Sequence, residues 1–153
     1  MQVNRIKNNP EDRRIIISLW DPQSEFKTVL PACDCFYQFI ANHEGYLSLI
    51  SYQRSADIFF GVPFNDLQDW LFLLEMSHSH SRIPELLGRT LGDCHIYKNL
   101  NKQVKEQFSR ETSEIKPKIR IKCQPKYILD YEFEDLELDN YDPQKRIGGT
   151  IAI

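Results

Sequence analysis

Gln53-Arg54-Ser55-Ala56-Asp57, followed by Gly61-Val62-Pro63-Phe64-Asn65, decides how this chain is read. The run Tyr46 to Tyr52 leads into it as a strand. From Pro63 onward the pattern becomes helical, with Leu67, Leu71, Leu74 and Met76 as an apolar core stripe that includes Trp70 and Phe72. A strand-to-helix junction therefore carries a guanidinium, a hydroxyl, a carboxylate and an amide, a strand's length after Cys33. Guanidinium binds phosphate as a planar fork, and a side-chain amide donates and accepts toward a pyrimidine edge. A nearby cation also favours thiolate over thiol, which makes Cys33 the candidate nucleophile.

Working outward, Asn8-Asn9-Pro10-Glu11-Asp12 is a turn cluster, and Arg13 to Trp20 is a β-branched apolar run of strand length. Asp21-Pro22-Gln23-Ser24-Glu25 is a polar connector. Cys33 to Ala41 reads as a strand, and Asn42-His43-Glu44-Gly45 as a hairpin loop whose glycine accepts positive φ. Cys33 then stands at a strand entrance. Further on, Gly88 to Ile96 reads as extended, Tyr97 to Arg110 as helical, and Pro117 to Cys123 and Glu134 to Leu138 as strands. The order is α+β, without repeat or low-complexity linker, and 153 residues suit a single domain spanning 1–153.

A net charge of −3 supplies no long-range field for a polynucleotide, so nucleic-acid binding is disfavoured and local arginines are left to bind a small anion. No apolar stretch reaches the roughly 20 residues needed to cross a bilayer, and the opening Met1-Gln2-Val3-Asn4-Arg5 lacks a signal segment, so a cytoplasmic location and no membrane association are expected. Cysteines 33, 35, 94 and 123 form no CxxC pair and are expected reduced. His78 and His80 lack a third ligand nearby and read as a solvated helix end, with no metal expected. Glu132, Glu134, Asp135 and Glu137 read as an exposed acidic face.

Taken in order, Arg13-Arg14-Ile15-Ile16-Ile17-Ser18, Leu30-Pro31-Ala32-Cys33 with Gln38-Phe39, Gln53-Arg54-Ser55-Ala56-Asp57 and Gly92-Asp93-Cys94-His95-Ile96-Tyr97 resemble the thymidylate synthase family. The likeness continues through Gln107-Phe108-Ser109-Arg110-Glu111, Pro117-Lys118-Ile119, Asp130-Tyr131-Glu132-Phe133-Glu134-Asp135 and Tyr141-Asp142-Pro143 to the apolar C-terminus. The resemblance implies a thymidylate-synthase-like mixed sheet with flanking helices, and conversion of dUMP to dTMP with methylenetetrahydrofolate. In that likeness Cys33 is the nucleophile, adding to the pyrimidine 6-position so that the 5-position attacks a one-carbon unit. Arg54 contacts phosphate and assists the thiol, Ser55 binds phosphate, and Asn65 reads the base, favouring uracil over cytosine. His95 and Tyr97 hold the sugar hydroxyl, as alternate strand residues sharing a face. Asp57 and Gly61 contact the folate ring, Asp57 also counting among the catalytic residues, and the tail containing Ala152 closes over the complex.

The resemblance further implies that Arg13 and Arg14 reach the phosphate of a partner subunit, hence a homodimer. Sheet faces rich in Ile15, Ile17, Phe39 and Leu49 are expected to need such a partner. The family's portion ahead of the arginine pair, with part of its folate site, is expected to be missing, so the chain reads as truncated at its N-terminus. Asp34 stands where the family usually has histidine, and Asp66-Leu67-Gln68-Asp69 replaces a much less acidic segment. Asp34 either raises the Cys33 pKa or points to the opposite strand face. Two alternatives stay open: a dUMP hydroxymethylase-type reaction, completed by water instead of hydride, and a non-catalytic nucleotide-binding module or remnant of a longer synthase.

Overall fold

A computed structural model describes residues 3–123, 125 and 127–151. The chain divides into two compact units, Met1–His95 and Ile96–Ile153. The first contains α1 (Val3–Asn8), β1 (Ile16–Ser18), β2 (Asp34–Ala41), β3 (Tyr46–Asp57), α2 (Gly61–Ser79) and β4 (Ile83–His95). Its sheet has the order β1-β2-β3-β4, with β1 and β2 antiparallel, β2 and β3 antiparallel, and β3 and β4 parallel. This is the mixed sheet of an α+β fold, and the parallel pair is joined by α2 because parallel neighbours need a crossover. The second unit holds a 3-10 turn at Lys98–Leu100, α3 (Asn101–Ser109) and an antiparallel pair, β5 (Lys118–Ile121) with β6 (Leu136–Asp139).

Gly45, at φ +92°, closes the hairpin between β2 and β3, and Asn42 Oδ1 accepts the Tyr46 amide at 2.9 Å. β3 outruns its expected end at Tyr52 and continues to Asp57, so the deciding stretch is strand through Asp57. Arg13 to Trp20 behaves differently, forming strand only over Ile16–Ser18. Asp12 diverts the start of that run: its carboxylate accepts the Arg14 amide at 2.9 Å and the Arg14 guanidinium at 2.8 and 3.2 Å, holding Arg13 and Arg14 in a turn.

Helix α2 packs on one sheet face through edge contacts of Phe72 with Tyr37 and Phe39, at 5.7 and 5.2 Å between ring centroids. Pro63 falls in its first turn, where a missing N–H costs nothing. Its buried positions are Asp69, Leu73, Met76 and Ser77, the i, i+4, i+7, i+8 spacing of one helix face. The expected stripe of Leu67, Leu71, Leu74 and Met76 splits: Met76 is buried, while the three leucines centre about 140° round the helix from that face; Leu67 is 48% exposed, and a buried carboxylate at 69 occupies the centre of the true interface. Leu67 and Leu71, with Phe64 and Phe72, border a hollow of about 630 Å³.

Of the apolar residues expected to form an open face, Ile15, Phe39 and Leu49 are buried to 1% exposure or less and Ile17 is half-buried. The sheet face away from α2 carries the alternate residues, and there Ile16 and Ile40 remain 40% and 50% exposed. No helix among the described residues is long and apolar enough to cross a membrane.

Candidate functional site

Strand directions gather the candidate residues. Because β2 runs against β3, the start of β2 lies beside the end of β3, and the Cys33 carbonyl accepts the Arg54 amide at 2.8 Å. Because β4 runs with β3, Ser55 pairs with Asp93 and Asp57 with His95, and the His95 carbonyl accepts the Ile58 amide at 3.0 Å. The chain then turns into α2: Asp57 Oδ1 accepts the Phe59 amide at 3.0 Å, and a Cβ placed on Gly61 would lie 3.5 Å from Asn65 Oδ1 and 3.6 Å from Asp57 Cβ. Cys33, Arg54, Ser55, Asp57, Gly61, Asn65 and His95 thus share one sheet end, where strand termini leave backbone and side chains open to a ligand.

Arg54 has a local task at this end. Its Nε donates to the Ala32 carbonyl and one terminal nitrogen to the Pro31 carbonyl, both at 2.8 Å, while the guanidinium carbon sits 5.7 Å from the Trp20 ring centroid. The guanidinium pins the segment that delivers Cys33. Gly92 lets β4 lie close against β3 here, because a Cβ there would meet the Arg54 carbonyl oxygen at 2.7 Å and the Tyr52 hydroxyl at 3.0 Å.

Beside the site lies a buried polar cluster between sheet and helix, centred on Arg89, whose side chain is 9% exposed. Arg89 Nε is 3.0 Å from Asp69 Oδ2, an ion pair without hydrogen-bond alignment; Arg89 also pairs with Asp66 and lies 3.8 Å from Asp34. Ser51 Oγ donates to Asp69 at 2.9 Å. Arg89 donates to Gln53 Oε1 at 2.5 Å, and Gln53 Nε2 donates to Asn65 Oδ1 at 3.1 Å. Desolvation, then the Asp69 charge, hold the Asp34 carboxyl above the ordinary range against the opposing pull of Arg89. Burial, with Asp69 and Asp34, also pushes the Tyr37 phenol up.

The open question about Asp34 has a geometric answer. The β2–β3 register shifts between Asp34 and Phe36, pairing Asp34 with Gln53 and Phe36 with Tyr52, so Cys35 is a bulge. Asp34 therefore shares the α2 face with Gln53 and reaches toward Arg89.

Other expected residues lie elsewhere. Arg13 and Arg14 precede β1, near Gln38 and Phe39, at the opposite end of the sheet from Cys33; Gln38 Nε2 donates to the Arg13 carbonyl at 3.1 Å. His95 and Tyr97 are not alternate residues of one strand, because β4 ends at His95 and Tyr97 precedes the Lys98–Leu100 turn in the second unit. Ala152 lies outside the described residues. His80 caps the end of α2 with Nδ1 2.8 Å from the Met76 carbonyl, and among the described residues no three metal-ligating side chains gather. All four cysteines are free.

Sequence reasoning passed over Arg89 and the buried roles of Asp69 and Gln53. No local signal singled them out: α2 also carries Asp66, Gln68 and Glu75, and Arg89 stands in an extended run two strands from Cys33. A family model described as thymidylate synthase matches residues 1–153, the full length of the chain, which therefore belongs to the thymidylate synthase family.

Proposed function

We propose that the protein binds dUMP at this sheet end and converts it to dTMP through a covalent bond to Cys33. The observation that carries this reading is the convergence of Cys33, Arg54, Ser55, Asp57, Gly61, Asn65 and His95 on the adjoining ends of β2, β3, β4 and α2. Ser55 and Arg54 offer a hydroxyl and a cation for phosphate, and Arg54 also positions the nucleophile's segment. The Cys33 thiolate forms a bond to C6 of the pyrimidine, the C5–C6 π pair moves toward C5 and the 4-oxo oxygen, and the Asn65 amide donates where that charge collects. C5 would then bond to the one-carbon unit of a bound donor; loss of the C5 proton would expel the donor's amine, and hydride added to the exocyclic carbon would expel Cys33 and restore the ring. His95 and Tyr97 are assigned to the sugar.

The one-carbon unit requires methylenetetrahydrofolate, whose chemistry the chain's residues fit: Asp57 engages Oδ1 with its own turn and has Oδ2 as an acceptor for ring N–H groups, and Phe64 beside Asn65 is 72% exposed. When bound, the folate supplies that carbon at the formaldehyde level and the hydride for methylation. Arg13 and Arg14 are assigned to a partner's phosphate site in a homodimer. Their position at the far sheet end and the exposure of Ile16 and Ile40 support that assembly.

A 5-fluoro analogue of dUMP, incubated with folate and followed by mass spectrometry of the denatured protein, tests the chemistry. A covalent adduct is expected on wild type and not on Cys33→Ser, since a neutral hydroxyl is a far poorer nucleophile. An adduct on Cys35 would refute the assignment. Product analysis distinguishes methylation from hydroxymethylation, and binding of dUMP without adduct identifies a non-catalytic module.

A further inference from the structure

We infer that Arg89, clamped by Asp69, is a positioning residue that sets base selectivity by fixing which end of the Asn65 amide faces a bound pyrimidine; this rests on the nucleotide site proposed above. The chain of donors runs one way. A guanidinium carries only donors, so the Gln53 atom it touches at 2.5 Å must be the oxygen. The other end of that amide is then Nε2, a donor, and the Asn65 atom 3.1 Å away must accept, which makes it Oδ1. Asn65 is left with its Nδ2 hydrogens to donate outward and a second lone pair on Oδ1.

That polarity matches a 4-oxo group beside a ring N3–H and mismatches a 4-amino group. Without Arg89, Gln53 has no fixed direction, and both amides can turn over together. Arg89 is itself held in place by Asp69, which is 1% exposed and also accepts from Ser51, and by Asp66. Asn65 alone therefore carries no selectivity: an asparagine is as capable of presenting oxygen as nitrogen, and the buried ion pair two residues removed decides between them.

Titration calorimetry with dUMP and dCMP tests this on the full chain. Wild type is expected to favour dUMP by roughly 10-fold or more. Gln53→Glu supplies a group with acceptors only, which draws Asn65 Nδ2 inward and turns Oδ1 out, so the dUMP preference should fall at least about 10-fold or reverse. Arg89→Met should bring the ratio toward one, and Arg89→Lys, still a donor, should restore it. A purely structural role would weaken both nucleotides equally, so folded variants with the wild-type ratio would overturn the inference. Wild type that binds neither nucleotide would overturn the site itself, and the inference with it. Should the variants not fold, side-chain amide hydrogen exchange on wild type decides: Gln53 Nε2 should be protected and Asn65 Nδ2 exchange freely, and the reverse pattern refutes the proposed polarity.

Discussion

Replacing Asp69 by alanine withdraws the central acceptor of a buried cluster. Removing one partner of a buried ion pair costs about 3–5 kcal/mol, and Arg89 keeps Asp66 and Gln53 as partners, which places this loss near the lower bound, about 3 kcal/mol. The Ser51 hydroxyl, 1% exposed, also loses its acceptor, adding about 1 kcal/mol. Asp69→Asn keeps the acceptor for Ser51 and loses the charge that faces Arg89, so about half of that total, roughly 2 kcal/mol, is expected. Ser51→Ala removes a donor and leaves Asp69 paired with Arg89, for about 1 kcal/mol. Trp20 and Trp70 both belong to the Met1–His95 unit, so urea unfolding followed by tryptophan fluorescence reports on that unit alone. The expected order of loss is Asp69→Ala, Asp69→Asn, Ser51→Ala. An alanine variant within 1 kcal/mol of wild type would mean that Asp66, Asp34 and water already satisfy Arg89, and the reasoning would fall.

Gly92→Ala is expected to cost about 2–3 kcal/mol, since its Cβ would stand 2.7 Å from a backbone oxygen, whereas Gly88→Ala meets only the Ile50 Cδ1 tip at 2.8 Å and should cost less than half as much; thermal melts that rank them in reverse would refute the steric account. Asp34 provides a pH test. Its folded pKa is raised, so the native state binds a proton more readily than the unfolded chain, and its contribution favours folding below the unfolded value of 3.8 and is lost as pH rises through the folded value. Asp34→Asn should therefore gain stability relative to wild type at neutral pH and lose that advantage as pH falls toward 4, with Tyr37, Asp69 and Arg89 as the facing groups. A variant destabilised at neutral pH would show that attraction to Arg89 outweighs burial.

Local patterns carried much of the fold into the sequence. The Asn42 to Gly45 hairpin was legible because one loop needed φ > 0 and held one glycine, and the β3 to α2 junction because Pro63 both follows a strand and suits a first helical turn. The strand expected from Arg13 was mostly illegible: the Asp12 carboxylate captures the chain through side-chain bonds that apolar periodicity does not record. Likewise α2 is apolar on two sides, and nothing in its own pattern says that the face bearing an aspartate is the buried one. The candidate site was legible as a set of residue types, with its gathering dependent on strand direction. What stayed hidden was the support beneath it, because Arg89 and Asp69 acquire meaning only when a parallel pairing sets residue 89 beside residue 51.

The bulge at Cys35 gives β2 two reading frames. From Phe36 to Ala41 the strand alternates in step with the core, with Tyr37 against Ser51 and Phe39 against Leu49; Asp34 belongs to the other frame, one residue out of step. Lengthening or shortening the chain anywhere within the packed half would turn apolar side chains outward. A deletion at Cys35 would remove the bulge, leave those pairings untouched and keep Asp34 opposite Gln53 on the Arg89 face. The strand thus has one position where its length can change without cost to the core or to the charged cluster beside Asn65.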